Sequence, residues 1–186
     1  YTEAIRIDPN YAEAYYNRGY LNELTDRHKA IADFTEVIRI NPDHAKAYFN
    51  RANAYHELDE YDNAIADHTE AIRINPDYVD AFQFRSRLYH GLGKYDKAIA
   101  DFTEVIRIDP DTTTAYYERG ASYRELGEYG KAIEDFTEAI RIEPDHVDAY
   151  YERGVSYHEL GKSGKAIADL TKVIVDYTEV YRKNPA

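Results

Sequence analysis

The chain has 186 residues, 44% of them hydrophobic and 31% charged, with 23 Lys and Arg against 35 Asp and Glu for a net charge of −12. No apolar run reaches the roughly 20 residues of a membrane-spanning helix, nothing in the sequence marks secretion, and the acidic balance argues against nucleic acid, whose phosphates require clustered cations. With no Cys, disulfides and thiolate metal sites are excluded, and a soluble, cytoplasmic protein without a cofactor is expected.

Residues 1–8, Tyr-Thr-Glu-Ala-Ile-Arg-Ile-Asp, match the stretch from Phe136 to Glu143, so the chain opens in the tail of a second helix. There is no methionine either, and a fragment of a longer array or an engineered piece is expected. Prolines at 9, 42, 76, 110 and 144 each close one phrase, Ile-Arg-Ile followed by Asp, Asn or Glu. Proline cannot continue a helix and drives its predecessor out of the α region, so each marks a helix end and a turn. Repeats are therefore expected at 9–42, 43–76, 77–110, 111–144 and 145–186, together one continuous domain.

Each repeat holds two helical stretches. The first carries aromatic and small residues at helical spacing, as in Tyr48, Ala52 and Tyr55 or Tyr116, Gly120 and Tyr123. After a break such as Leu126-Gly127-Glu128-Tyr129, the second places Ala132, Ile133, Phe136, Ala139 and Ile140 on one stripe. Neither helix buries its stripe alone, but stacked pairs do, so the fold class is an all-α solenoid.

The first repeat is one residue short: Gly19 to Leu24 stand where Gly120 to Leu126 stand later. A one-residue loss turns the rest of a helix by about 100°, so irregularity is expected at that helix end or turn. In the last repeat Asp169-Leu-Thr-Lys-Val-Ile-Val175 is nearly duplicated by Asp176-Tyr-Thr-Glu-Val-Tyr-Arg182. Seven residues fall only about 20° short of two turns. The final helix is thus expected to lengthen, keeping Leu170, Ile174, Tyr177 and Tyr181 on one side as a cap or docking surface.

Every full repeat has an arginine in its first helix (Arg18, Arg51, Arg85, Arg119, Arg153) and an aspartate in its second (Asp33, Asp67, Asp101, Asp135, Asp169). Recurring opposite charges on facing helices predict a structural salt-bridge ladder. His56, His90 and His158 fall on separate repeats, and helix axes about 8–10 Å apart make a shared metal unexpected. His44 and His146, just after proline turns, are expected in solvent. His68 replaces the core residue that is Phe34, Phe102, Phe136 or Leu170 elsewhere. It is expected to be hydrogen-bonded and partly buried, with stability falling at acid pH if burial lowers its pKa. No Ser-His-Asp arrangement, phosphate-cradling glycine loop or HExxH motif is present, so no enzyme activity is expected.

The units resemble tetratricopeptide repeats, whose 34-residue signature sets an aromatic, Leu-Gly, Tyr, Ala, Phe and Pro at fixed offsets. The fourth repeat has Tyr116, Gly120, Tyr123, Ala132, Phe136 and Pro144; the third has Phe82, Ser86, Tyr89, Ala98, Phe102 and Pro110. The second has Tyr48, Ala52, Tyr55, Ala64, His68 and Pro76, and the fifth Tyr150, Gly154, Tyr157, Ala166 and Leu170. The ladder arginine is the consistent departure, standing where the signature has leucine. The 34-residue register and acidic balance disfavour pentatricopeptide repeats, which read RNA.

The resemblance covers essentially the whole chain. It implies a right-handed α-solenoid of helix-turn-helix units that binds a protein or peptide segment in a concave groove lined by the first helices. Groove candidates are Phe49, Asn50 and Asn53, then Gln83, Phe84 and Arg87, then Tyr117, Glu118, Arg124 and Tyr151. The third repeat departs most from its neighbours and is the expected seat of specificity. The basic carboxylate clamp of chaperone-binding members is not matched, because its positions fall on Asp80 and Phe84, Thr114 and Glu118, or Asp148 and Glu152. A basic or mixed apolar partner is expected instead. The alternative is a structural self-assembly module stacking end to end, through Ile5 and Ile7 at one end and Tyr177 and Tyr181 at the other.

Overall fold

The computed structural model describes residues 1–183, apart from the side chains of residues 176, 177 and 179–183, and within them every regular element is a helix. These are α1 (Thr2–Ile7), α2 (Ala12–Asn22), α3 (Arg27–Ile40), α4 (Ala45–His56), α5 (Tyr61–Ile74) and α6 (Val79–Gly91), then α7 (Tyr95–Ile108), α8 (Thr113–Glu125), α9 (Tyr129–Ile142), α10 (Val147–Glu159) and α11 (Ser163–Lys183). Helices α3, α5, α7 and α9 all stop at the isoleucine two places before a proline, in the phrase that recurs in the sequence. None of the described helices is long and apolar enough to cross a membrane.

The helices gather into two compact units, residues 1–88 and 89–186. In the first, α2 packs on α3, α3 on α4 and α4 on α5, while α1 lies against α2. In the second, α7 packs on α8, α8 on α9, α9 on α10 and α10 on α11. Each is a run of consecutive helix pairs, the all-α solenoid arrangement expected from the sequence.

The second helices supply the core. Ala30, Phe34 and Val37 are fully buried in the first repeat, and Ala132, Phe136 and Ala139 in the fourth. These phenylalanines need a bare backbone opposite them. A Cβ on Gly19 would lie 2.9 Å from Cε1 of Phe34, and one on Gly120 the same distance from Cε1 of Phe136. In the fifth repeat the corresponding pair is Gly154 and Leu170, at 3.0 Å.

The turns show where the short repeat absorbs its missing residue. In the later repeats the turn passes through a left-handed residue, Asp59 (φ 59°), Gly93 (69°), Gly127 (74°) or Gly161 (69°), a conformation glycine adopts without steric cost. The first repeat has none. Its α2 ends after 11 residues, and the amides of Thr25 and Asp26 both return to the Asn22 carbonyl, at 3.0 and 2.7 Å. Asp26 then caps α3, its side chain accepting from the Lys29 amide. The irregularity stays in the turn, and the registry of α3 is restored.

In α11, Val173 is buried and Ile167 and Ile174 are exposed. The expected stripe is therefore split: Leu170 lies against Gly154 of α10, while Ile174 is exposed, because α11 packs on α10 through its Ala166, Asp169, Leu170 and Val173 side. Tyr177 and Tyr181, expected to complete that stripe, lie outside the described side chains.

Candidate binding faces

The charged ladder fixes the orientation of the first helices. Arg51 Nε and Nη2 donate to the two carboxylate oxygens of Asp67 at 2.7 and 2.8 Å. Arg119 does the same to Asp135 at 2.8 and 2.7 Å, as do Arg153 to Asp169 and Arg18 to Asp33. The guanidinium fork matches a carboxylate in this bidentate geometry. Each arginine also lies over an aromatic ring of its own helix, Arg51 over Tyr48 and Arg119 over Tyr116. Its remaining arm reaches backwards. Nη1 of Arg51, Arg85, Arg119 and Arg153 donates to the hydroxyl of Thr35, Thr69, Thr103 and Thr137 respectively, at 2.9–3.1 Å. Each of these threonines sits in the second helix of the preceding repeat and itself donates to the isoleucine carbonyl one turn back. The ladder therefore ties helix to helix and repeat to repeat. Arg18 alone makes no such bond with Thr2, which stands at the corresponding place.

In the unit of residues 1–88, the outward side of the first helices carries rings. The Tyr16 and His44 rings lie 5.1 Å apart, tilted by 35°, and Asn50 Nδ2 donates to the Tyr16 hydroxyl at 3.1 Å. Phe49 packs 5.1 Å from Tyr78, 5.5 Å from Phe84 edge-on, and 5.5 Å from His68. Phe84 is 37% exposed at the rim of this cluster, and Arg87 beside it is exposed. Gln83 is half-buried, and Asn53 keeps a buried Oδ1 with no hydrogen-bond partner. Burial pushes the Tyr78 hydroxyl up to about 12, with Asp80 and Tyr16 adding to it.

The histidines depart from the sequence expectation at two kinds of position. His68 is neither partly exposed nor hydrogen-bonded: it is fully buried and both ring nitrogens lack a partner. Its position is a phenylalanine position, walled by Phe49 and Phe84, which offer a polar ring nothing. Burial, helped by the positive charge of Arg85 and by His56, drives its pKa down to about 3. His44 and His146 are not out in solvent. Each is half-buried and caps a helix, Nδ1 accepting the amide of Ala47 or Ala149 at 3.1 and 3.3 Å. A helix start leaves amides without partners, and an imidazole nitrogen satisfies one here.

In the unit of residues 89–186, Tyr117 stacks on His146 at 5.0 Å and meets Phe136 at 5.8 Å. Its hydroxyl is pushed up by burial first, then by the carboxylates of Glu152, Asp148 and Glu118, against Arg124. Arg124 donates to Glu152 and to Glu125 at 2.6 Å each. Burial raises the Glu152 carboxyl despite Arg124. Tyr151, beside Glu152 on α10, is exposed. One tyrosine thus stands among three carboxylates and a single arginine, itself already engaged.

Sequence reasoning missed Tyr78, Glu152 and the threonines. The signal for Tyr78 lay in its place immediately ahead of a first helix, which His44 and His146 share. The threonines recur in strict register with the arginines, but on a solvent-facing side they read as ordinary polar surface.

A family model described as TPR repeat matches residues 1–25, 87–123 and 120–161, and models described as Tetratricopeptide repeat match 45–78 and 148–179. No curated protein matches the chain. Among solved structures it is similar to the MamA protein, with a TM-score of 0.86 at 21% identity over 94% of this chain and 96% of that one. MamA 41-end from Desulfovibrio magneticus RS-1 gives 0.82 at 19% over 94% and 97%. YrrB, described as a TPR protein with an unusual peptide-binding site, gives 0.84 at 24% over 93% and 90%.

Proposed function

Because the chain belongs to the tetratricopeptide-repeat family, we propose that it is a non-catalytic interaction scaffold, holding a peptide or partner segment against its first helices. The observation that carries this reading is the make-up of the two faces. One unit presents an apolar ring cluster with Phe84 at its rim, and the other a tyrosine among Glu118, Asp148 and Glu152. Rings with little conformational freedom give contact area at low entropic cost, and carboxylates select a cationic neighbour. The partner is thus a protein segment of basic or mixed apolar character and not a nucleic acid. The peptide-binding site of YrrB, a protein of the same fold, supports the reading. Peptides rich in Lys, Arg and aromatic residues, followed by fluorescence anisotropy, test it. Phe84→Ala and Glu118→Lys should each weaken binding at least about tenfold with unchanged thermal unfolding. Wild-type binding by both variants removes the assignment of these faces.

A second reading, self-assembly through the terminal helices, is favoured by the exposure of Ile7 on α1 and of Ile167 and Ile174 on α11. Ile5 is half-buried.

A further inference from the structure

Two departures from the repeat pattern meet inside the first unit. The core position of the second helix is Phe34, Phe102, Phe136 or Leu170 in four repeats and His68 in the second. The residue before the ladder arginine is Asn17, Asn50, Glu118 or Glu152 in four repeats and Phe84 in the third. These two odd residues pack ring to ring, their centroids 6.0 Å apart and their planes tilted by 32°.

Phe49 closes another side of the imidazole at 5.5 Å, with Tyr78 behind it. His68 is wholly buried, and neither ring nitrogen has a partner. A polar ring in such a place has given up its bonds to water and gained none. Phe84 is the exposed ring of the cluster, while Phe49 and Tyr78 are half-buried. It is therefore the wall that can move, and partly exposed side chains change rotamer within nanoseconds. A group that took its place would meet apolar walls and one unsatisfied imidazole.

We propose that Phe84 covers a tyrosine subsite: the ring of a partner's tyrosine enters between Phe49 and His68, and its hydroxyl bonds an imidazole nitrogen. A hydroxyl both donates and accepts, so it answers His68 in either tautomer, whereas an indole only donates and a phenylalanine does neither. Lysine or arginine would carry a charge among apolar rings, beside Arg85, whose positive charge already bears on His68. Phe84 turns outward and packs on the outer face of the entering ring, so its own contact is kept in the complex. The bond that His68 lacks in the free protein is then made only when the partner is bound. The subsite rests on the scaffold reading given above and narrows the partner of this face to a segment containing tyrosine.

N-acetyl-tyrosine amide and N-acetyl-phenylalanine amide, titrated into the full chain with isotope-labelled histidine, test this by NMR. The tyrosine amide should bind at least about fivefold tighter and move the ring-nitrogen signals of His68, which are identified by their loss in His68→Leu. That variant, carrying the residue of the fifth repeat, should melt no lower than wild type and bind the phenylalanine amide at least as well as the tyrosine amide. A wild type with no tyrosine preference, an unmoved His68 ring, or a preference that survives His68→Leu overturns the subsite. Basic aromatic peptides that bind equally well after their tyrosines are changed to phenylalanine leave the scaffold reading standing and likewise overturn the subsite. A tyrosine preference lost in His68→Leu, with no peptide bound at all, supports the subsite and overturns the scaffold reading.

Discussion

The second and fourth repeats share one frame and differ in what fills it. Arg51 and Asp67 meet as Arg119 and Asp135 do, with the same bidentate distances to within 0.1 Å. Inside that frame the fourth repeat sets Phe136 against Gly120, and the second places His68 and Ala52 at the same positions. Both large side chains are wholly buried. In these two repeats the register thus fixes burial although the residue types differ. Residue type then sets the energetic consequence, because a phenylalanine there satisfies itself by contact while the imidazole leaves two nitrogens unpartnered. A buried polar group without a partner costs about 1–3 kcal/mol, and this one lies under the ring cluster of Phe49 and Phe84.

The largest test is of the shared frame. Arg119→Leu should cost about 3–5 kcal/mol in urea unfolding, since it leaves Asp135 buried and uncompensated. Arg51→Leu should cost about as much through Asp67. Adding Asp135→Leu to the first should restore most of the loss. Unequal losses in the two repeats would mean that the frame is not common to them.

His68→Leu sharpens the difference. Leucine fills this place in the fifth repeat, as Leu170, and the variant should gain stability at neutral pH. The gain should widen in acid. The native imidazole, with its pKa near 3, stays neutral while the unfolded one takes up a proton near 6.5. The native protein is therefore fully stable with respect to this group above about 6.5 and loses stability as pH falls toward 3. The slope is about 1.4 kcal/mol per pH unit. Parallel pH profiles for the two proteins would refute this account of His68.

The smallest effect concerns the fourth repeat alone. Gly120→Ala puts a methyl 2.9 Å from the Phe136 ring and should lower stability by about 1–3 kcal/mol through overpacking. A Gly120→Ala variant as stable as wild type would show that the ring yields freely.

The fold was legible because prolines stop helices and because Gly120 and Phe136 answer each other across a helix pair, a relation that recurs through the chain. The Arg and Asp columns were legible since opposite charges at a constant offset have one economical explanation. His44 was misread because a residue after a proline turn looks solvated, whereas the amides at the start of α4 demand an acceptor. His68 was misread on the assumption that a polar ring in a core finds a partner. Among the candidate binding residues, Arg124 could be placed on a helix from sequence, but its capture by Glu152 depends on the packing of α8 near α10.

The bond from arginine to the threonine of the preceding repeat gives the array a polarity. Every repeat brings a donor on one helix and an acceptor on the other, so each is a link with two unlike ends. Adding or deleting a whole link leaves every such bond matched and Gly19 and Gly120 opposite their rings. The one-residue loss in the first repeat is taken up in the turn beyond Asn22, ahead of the next helix. Length in whole repeats is therefore the dimension along which this molecule can vary at least structural cost.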